Sequence, residues 1–517
     1  MFRTYQTKLK NGMIVLLDYS EIPVYVYFQQ YAKEFGRIER RLFVDVYVRK
    51  KPTNQLKVEY CANYQLTAMQ YNSIKNQLDG RVSSKKEVTK LHIEETKEKI
   101  YQTRKFLTKK IAQKEKAQNT LVKMRGDEPS FLKKVNSYRK LKMAIHQKKR
   151  KLHRLQVKME RLECDEKCGV ARLCFGSKKL FHKQFHLTEN DLSFEQWKNN
   201  WEKARASQFT FIGSKDETYG NQSCTYDLEN QLRIRVNRKD EGKFGKYIVL
   251  SNIHFTYGQE NIDKAKVPTI GYTKGKGNKV RYYRALTCKF IFKNRHWYLN
   301  MSVDVDTAEI KTLQNHGQIG VDFNASFLAV TDVDRFGNHV HSFQVPFKAY
   351  HVSTQQAKQS LSDALKRVVD YAVVKQKPIA HEKLDFKKKK QQLKQLSNKQ
   401  AKVLSGFAYT SFQSMLTSKC QKDGIAVVAV NPAYTSQIGQ HKFMKKYGLS
   451  SHGSAAMVIA RRGLELKKTE QVPTNRLIQG NQDSIILKKR FEQWKELSKQ
   501  WKSYTFGQKI ELLYHVF

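Results

Sequence analysis

An acidic residue inside an apolar, strand-like segment is the first candidate for chemistry in this sequence. The segment is Gly-Gln-Ile-Gly-Val-Asp-Phe-Asn, residues 317–324, and its apolar residues alternate as they do in a half-buried strand. Asp322 lies between Val321 and Phe323, so its side chain is expected on the opposite face of the sheet from theirs. A carboxylate held at the end of a strand is a candidate metal ligand.

The residues after this segment predict further strands and helices in a definite order. Short apolar runs predict strands, and amphipathic stretches predict helices between them. In chain order they are strands at 327–330 and 340–343, a helix at 355–374, a strand at 378–384, a helical region at 387–420, a strand at 424–430 and a helix at 452–466. The strand at 378–384 carries a second acidic residue, Glu382.

This order of elements is that of an RNase H-like α/β domain. In that layout the first strand and the strand after the first helix are neighbours, so Asp322 and Glu382 can meet at one end of the sheet. Two carboxylates there would hold Mg²⁺, which prefers oxygen ligands, and a two-metal site could catalyse phosphodiester hydrolysis. The alternative is that both are solvated charges at strand ends.

The composition points to a polyanionic partner. The 517 residues include 96 Lys and Arg against 47 Asp and Glu, a formal charge of +49, which favours nucleic acid binding over a long surface. A solubility bias or membrane-surface binding is the alternative. The sequence has no apolar run near 18 residues and no apolar core of a signal peptide near its start. Seven scattered cysteines fit a reducing cytosol, so we expect a cytoplasmic protein.

The chain before residue 311 is expected to contain two kinds of structure. Strand-like runs at 24–28 and 42–48, and further runs between 171 and 305, predict a β-barrel that begins in residues 1–54 and is completed in residues 166–310. Residues 55–165 instead show two basic helical stripes separated near residue 126. The predicted architecture is an α+β multidomain protein: a barrel with a helical insertion, then an α/β domain at 311–467.

Clusters of basic residues are the candidate contacts with nucleic acid. Their excess over acidic residues on the helical stripes is larger than an ordinary solvated coiled-coil hairpin requires. The candidates are Lys148, Lys149, Arg150, Lys151, Lys387, Lys388, Lys389, Lys390, Arg461 and Arg462.

Four segments of the last third resemble the RuvC motifs of TnpB proteins, the RNA-guided nucleases of insertion-sequence transposons and relatives of type V CRISPR effectors. The segments are Gly-Val-Asp-Phe-Asn at 320–324, Ile-Ala-His-Glu-Lys-Leu-Asp-Phe at 379–386, Val-Asn-Pro-Ala-Tyr-Thr-Ser at 430–436 and Ala-Ala-Met-Val-Ile-Ala-Arg-Arg-Gly-Leu at 455–464. The layout before them is similar to the family's wedge and recognition domains.

The resemblance implies a function. The chain would bind a guide RNA and cut double-stranded DNA beside a short motif, with base pairing supplying the sequence and the protein holding the backbone. One protein per guide RNA is expected rather than two. Residues 468–517 are expected to form a basic C-terminal tail.

The sequence departs from the family pattern in two places. Residues 431–451 contain no Cys, so we expect no zinc and a shortened target-binding loop where the family commonly carries a zinc ribbon. His452 stands where the family usually has a third acid, and we expect it to be the third member of the site, as a metal ligand or as a base. The alternative is a histidine that merely starts the last helix and faces solvent.

Two other functions compete with guided cleavage. A nuclease-inactive, RNA-guided repressor would keep the basic surface and lose the acids, but Asp322 and Glu382 are both present. A transposase would normally need a dedicated DNA-binding domain such as a helix-turn-helix, and no such segment is evident.

Overall fold

The chain forms two compact units, Met1–Val305 and Asp306–Phe517. The computed structural model describes residues 2–126, 129–272, 279–348, 352–383, 406–466, 470–472, 490–505 and 507–509. The predicted boundary at residues 310 and 311 is close to the division between these units. The finer division of the first unit into wedge and recognition parts stays a prediction.

The first unit contains eleven strands and eight α-helices within its described residues. They are β1 (Phe2–Lys8), β2 (Met13–Val15), β3 (Glu21–Pro23), α1 (Val24–Phe43), α2 (Thr53–Asn63), α3 (Ala68–Val122), α4 (Phe131–Lys167), α5 (Lys178–Lys183), α6 (Phe194–Arg205), β4 (Gln208–Phe211), β5 (Cys224–Tyr226), β6 (Leu232–Arg235), α7 (Glu241–Phe244), β7 (Tyr247–Leu250), α8 (Gln259–Lys266), β8 (Thr269–Tyr272), β9 (Lys279–Tyr282), β10 (Thr287–Lys293) and β11 (His296–Asp304).

The predicted barrel is absent from the described part of the first unit. Its largest sheet is open, with the antiparallel order β1-β11-β10-β4, and β5-β6-β7 form a separate sheet. The two runs predicted as the first strands are also wrong, because residues 24–43 form α1 and residues 44–48 continue it as a π-helix.

The burial of α1 explains why its β-branched and aromatic residues form a helix. Buried residues recur every three or four positions from Val24 to Leu42, the spacing of one helix face. The ring of Phe28 lies 5.2 Å from that of Phe290 and 5.6 Å from that of Trp297. Packing against the sheet therefore overrides the β propensity of these residues.

The helices α3 and α4 form a long, basic helical hairpin. Helix α3 begins at a capping box in which Thr67 and Gln70 bond each other's backbone N–H groups. Few of the hairpin's residues are buried, among them Ile93, Leu107 and Ile145. Within the described residues, no helix is both long and apolar enough to cross a bilayer.

The second unit is an α/β domain. Its elements are β12 (Gln318–Phe323), β13 (Phe327–Val333), β14 (His339–Pro346), α9 (Thr354–Lys375), β15 (Ile379–Glu382), α10 (Gly406–Asp423), β16 (Val427–Val430), α11 (Thr435–Gly439), α12 (Lys445–Tyr447), α13 (Ser451–Gly463) and α14 (Arg490–Ser503). The predicted order of strands and helices from residue 317 onward is confirmed in the described residues.

The five strands form one sheet with helices on both faces. The order is β14-β13-β12-β15-β16, with β12, β15 and β16 parallel and the first three strands antiparallel. One core joins Ile319 and Val321 to the helices α9 and α10, and another joins Val333 to α13 and to Trp494 of α14. The predicted C-terminal tail therefore includes a helix that packs into this domain.

Helix α13 lies close to the sheet because a glycine stands on each side of the contact, Gly320 on β12 and Gly463 on the helix. A Cβ on Gly320 of β12 would lie 2.0 Å from the carbonyl oxygen of Ala456, and a Cβ on Gly463 would lie 2.8 Å from Cδ of Gln318. Neither position has room for a side chain. The helix axis is thus set by main-chain contact with β12.

A buried ion pair joins the strands at the opposite end of the sheet from Asp322. The ammonium of Lys377 lies 2.6 Å from Oδ1 of Asp332, and the hydroxyl of Tyr371 donates to Oδ2 at 3.0 Å. Burial, with the neighbouring Asp332, raises the pKa of Tyr371, so this phenol stays protonated and donates. The pair links β13 to Lys377, two residues before β15 begins at Ile379.

Removing Lys377 is expected to destabilise the α/β domain strongly. Lys377→Met leaves the buried Asp332 without its cation, which costs about 3–5 kcal/mol. Lys366→Met is the control, because its pair with Asp370 is exposed and such pairs contribute about 0–1 kcal/mol. Native-state hydrogen exchange of the β13 and β15 amides measures the loss, and equal protection in both variants would contradict it.

Candidate active site

The two acidic residues lie at the same end of adjacent parallel strands. The register pairs Ile319 with Ile379, Gly320 with Ala380 and Val321 with His381, and Asp322 and Glu382 are the next residues on the two strands. Because side chains alternate along a strand, both carboxylates belong to the face that α13 covers. The topology thus brings the two sequence-predicted acids together.

Asp322 is held by two neighbours. Its side chain is 14% exposed, and Nδ2 of Asn324 donates to its Oδ2 at 3.0 Å. Nδ1 of His452 lies 3.2 Å from the same oxygen. The hydrogen bonds to the Asp322 carboxylate from described residues all reach Oδ2.

His452 occupies the first turn of α13, as predicted. Ser450 caps this helix, and its hydroxyl accepts from the backbone N–H of Gly453 at 3.1 Å. The imidazole packs edge-on against Phe327, with ring centroids 5.2 Å apart, and its side chain is 46% exposed. The ring is therefore fixed beside Asp322 and still accessible from outside.

Glu382 is held by a residue that the sequence reasoning missed. The hydroxyl of Thr435, the first residue of α11, donates to Oε1 of Glu382 at 2.5 Å. Thr435 lies within the motif at 430–436 that the sequence already marked, but the pattern did not indicate its role. Asn324 was missed in the same way within the motif at 317–324.

His381 supports the strand that carries Glu382. It is buried, its ring lies edge-on to Phe412, and its Nδ1–H donates to the backbone carbonyl of Glu382 at 2.9 Å. Burial lowers the pKa of His381, more than its bond to that carbonyl raises it. The ring is therefore neutral near pH 7. It lies on the face of the sheet opposite to the Glu382 side chain.

Arg461 and Arg462 do not lie on a surface that nucleic acid could contact, contrary to the prediction. Both are buried, because they belong to the last turn of α13, against which Glu470 and the helix α14 pack. Arg461 donates to the carbonyl of Gly337 and lies over the ring of Phe443. Neither buried guanidinium is placed to contact a nucleic acid backbone.

Arg462 instead ties down the loop before α11. Its guanidinium donates to the carbonyls of Asn431 and Ala433 and forms two bonds with Glu470, at 2.7 and 2.9 Å. The two side chains of this ion pair are each 2% exposed, and Trp494 donates to the Glu470 carbonyl at 2.6 Å. Glu470 follows Arg462 by eight residues, beyond the end of α13, and Trp494 belongs to α14, so helical periodicity did not indicate this arrangement.

The other predicted contacts lie elsewhere. On α4 of the first unit, the side chains of Lys149, Arg150 and Lys151 are exposed. The ammonium of Lys148 lies 4.8 Å from the centroid of the Phe106 ring on α3, a cation–π contact within the hairpin. The predicted contacts Lys387, Lys388, Lys389 and Lys390 lie outside the described residues.

The donor set suits a hard divalent cation. Asp322 and Glu382 supply carboxylate oxygens from one sheet end, and their neighbours Asn324 and Thr435 donate hydrogen bonds to them. Mg²⁺ is usually bound by one or two carboxylates together with waters and substrate phosphate. Across the described residues, no group of three or more His, Cys, Asp or Glu has the spacing to enclose a metal ion.

One segment of the second unit matches a known protein family. Residues 409–447 match the family described as Cas12f1-like, TNB domain. The match includes the motif at 430–436 and confirms the resemblance to TnpB and Cas12 proteins over that segment. A search of the curated proteins gave no match.

Three solved structures are also similar to parts of the chain. RuvC of T. thermophilus in complex with a Holliday junction substrate is 17% identical, with 30% of this chain and 96% of that chain covered and a TM-score of 0.22. A second Thermus thermophilus RuvC structure is 16% identical, with 29% of this chain and 95% of that chain covered and a TM-score of 0.23. A CRISPR-Cas12f ternary complex is 12% identical, with 56% of this chain and 75% of that chain covered and a TM-score of 0.19.

Proposed function

We propose that this protein is an RNA-guided DNA endonuclease. Its active site for phosphodiester hydrolysis consists of Asp322, Glu382 and His452. The observation that carries the proposal is the convergence of both carboxylates and the imidazole at one end of the α/β sheet. The match of residues 409–447 to the Cas12f1-like family supports guidance by RNA.

The residues of the site would divide the work of hydrolysis. Asp322 and Glu382 would hold Mg²⁺, which when bound supplies the positive charge that activates water and stabilises the leaving oxygen. Asn324 donates a hydrogen bond to Asp322, and Thr435 donates one to Glu382. His452, which contacts Asp322 and is half exposed, can reach a water or a phosphate and accept a proton there.

The nucleic acid partners follow from the charge of the chain. A formal charge of +49 favours a polyanion, and the hairpin of α3 and α4 presents basic side chains on a long exposed surface. A helical surface of this kind suits the backbone of a guide–target duplex, which proteins recognise by its geometry.

The first test is to purify the protein from cells and sequence the RNA that accompanies it. We expect one defined, structured RNA, and the purified complex should cut double-stranded DNA that matches that RNA when Mg²⁺ is added. A protein without bound RNA would contradict the proposal and favour a transposase. A complex that binds matching DNA without cutting it would favour the repressor.

Neutralising the basic patch on α4 is expected to weaken nucleic acid binding for every guide alike. Replacing Lys148, Lys149, Arg150 and Lys151 together by Gln removes up to four interactions with backbone phosphates. The slope of log affinity against log salt should fall by about one for each phosphate that is no longer neutralised. Binding measured with two unrelated guides at several salt concentrations checks this result.

An equal loss of charge elsewhere provides the control for this variant. The matched control carries four substitutions to Gln on α9, at Lys358, Lys366, Arg367 and Lys375, and should bind more tightly than the α4 variant. If both variants lose the same affinity, net charge alone is responsible. If the loss depends on the guide sequence, the backbone assignment is wrong.

A further inference from the structure

The hydroxyl of Thr435 is directed at the Glu382 carboxylate from a buried position. Thr435 is 2% exposed, and the hydrogen bond from its Oγ1 to Oε1 of Glu382 is 2.5 Å long. Its other neighbour, the carbonyl of Pro432, is farther away at 3.2 Å. Bonds from a hydroxyl to a carboxylate are short and about twice as strong as bonds between neutral groups.

The backbone around Thr435 is fixed by groups outside the sheet. Tyr434 takes a left-handed conformation, with φ of 61°, immediately before α11. Arg462 of α13 donates to the carbonyls of Asn431 and Ala433 on the same loop. The buried pair with Glu470 neutralises that guanidinium. The position of the Thr435 hydroxyl is therefore set in part by α13 and its partner.

We propose that Thr435 is a positioning residue that orients the Glu382 carboxylate for a divalent cation. This role rests on the proposed function. A glutamate side chain has several rotamers, and ordering them at the moment of binding costs free energy. A donor already in place removes part of that cost.

A purely structural role for Thr435 would have a different consequence. A buried hydroxyl needs one acceptor, and the Pro432 carbonyl would satisfy it. In that case its loss would change the stability of the α/β domain and leave the affinity for a divalent cation as it was. The two roles therefore separate when metal binding and stability are measured on the same variants.

The experiment measures Mn²⁺ binding to the full chain without nucleic acid, using the electron paramagnetic resonance of the free ion. Thr435→Val keeps the shape and removes the donor, so we expect affinity to fall about tenfold to a hundredfold. Thr435→Ser keeps the donor and should restore affinity to within about threefold of wild type, since the hydroxyl survives. Guided cleavage at limiting Mg²⁺ should follow the same order.

Thr312→Val is the matched control. Thr312 is also buried and accepts from the backbone N–H of Ala426, just before β16, whereas Thr435 follows the end of that strand. This variant should lose stability and keep its Mn²⁺ affinity. If Thr435→Val does not fold, Thr435→Ala takes its place with the same expected loss of affinity.

Two results would overturn the role of Thr435. One is wild-type Mn²⁺ affinity in the folded Val or Ala variant, and the other is a folded Ser variant that loses affinity as the Val variant does. Glu382→Gln separates this failure from failure of the proposed function. If Glu382→Gln also binds Mn²⁺ like wild type, the metal site itself is wrong. If Glu382→Gln loses Mn²⁺ affinity while Thr435→Val keeps it, only the role of Thr435 is wrong.

Discussion

Asp322→Ala and Glu382→Ala should each lower the rate of guided DNA cleavage by on the order of a thousandfold or more, as removal of a central catalytic group does in other hydrolases. Both carboxylates sit at one sheet end and belong to the same face. Losing either one removes an oxygen ligand that the cation needs. Cleavage of a labelled, matched DNA by the purified RNA complex measures the effect.

The Asp322→Ala and Glu382→Ala variants should still bind guide RNA and DNA. This result would separate a loss of catalysis from a failure to assemble the complex. Neither carboxylate is expected to contact bases, so affinity for guide RNA and for DNA should stay close to wild type. Asp370→Ala is the control, since that exposed carboxylate pairs only locally with Lys366 among the ion pairs described. Wild-type cleavage by either site variant would remove the assigned site.

His452→Ala should lower the cleavage rate by on the order of a hundredfold or more if the imidazole acts as a base. Its Nδ1 lies 3.2 Å from Oδ2 of Asp322, and its ring packs against Phe327 at the start of α13. These contacts would hold the ring beside the reacting phosphate. The matched control is His316→Ala, an exposed histidine of the same unit, which should cleave like wild type.

His452→Asp separates the two possible roles of the imidazole. If the ring is a metal ligand, the carboxylate should keep substantial activity, because Mg²⁺ prefers oxygen. If the ring is the base, His452→Asp should be about as slow as His452→Ala. If His452→Ala cleaves as well as wild type, the histidine belongs only to the helix start and the third group of the site lies elsewhere.

Sequence patterns predicted the α/β domain well because its signals are local. Alternation in residues 317–324 marks β12, and the apolar face of residues 355–374 marks α9. Once the order of elements is known, the topology brings Asp322 and Glu382 to neighbouring strands without any further information. The same reasoning placed His452 at the start of a capped helix.

The features that the sequence did not predict depend on partners outside the local helix or strand. Residues 24–28 are rich in β-branched and aromatic side chains, yet contacts with rings at residues 209, 290 and 297 make them helical. Arg462 resembles a solvated charge at a helix end until Glu470 and Trp494 cover it. Hydrogen bonds such as that of Thr435 need orientations that no periodicity reveals.

The glycine contacts beneath α13 have a consequence for how the protein tolerates change. Repacking of side chains cannot absorb a methyl group at Gly320, Gly439 or Gly463, because the nearest atoms include main chain of α13 or the buried side chains beneath it. A residue larger than glycine forces these neighbours apart, and we expect the helix to shift and to carry His452 away from Asp322. Substitutions at these three positions are therefore not expected to be neutral. A random-mutation screen for lost cleavage should find substitutions at all three, although a glycine has no side chain that could take part in the chemistry.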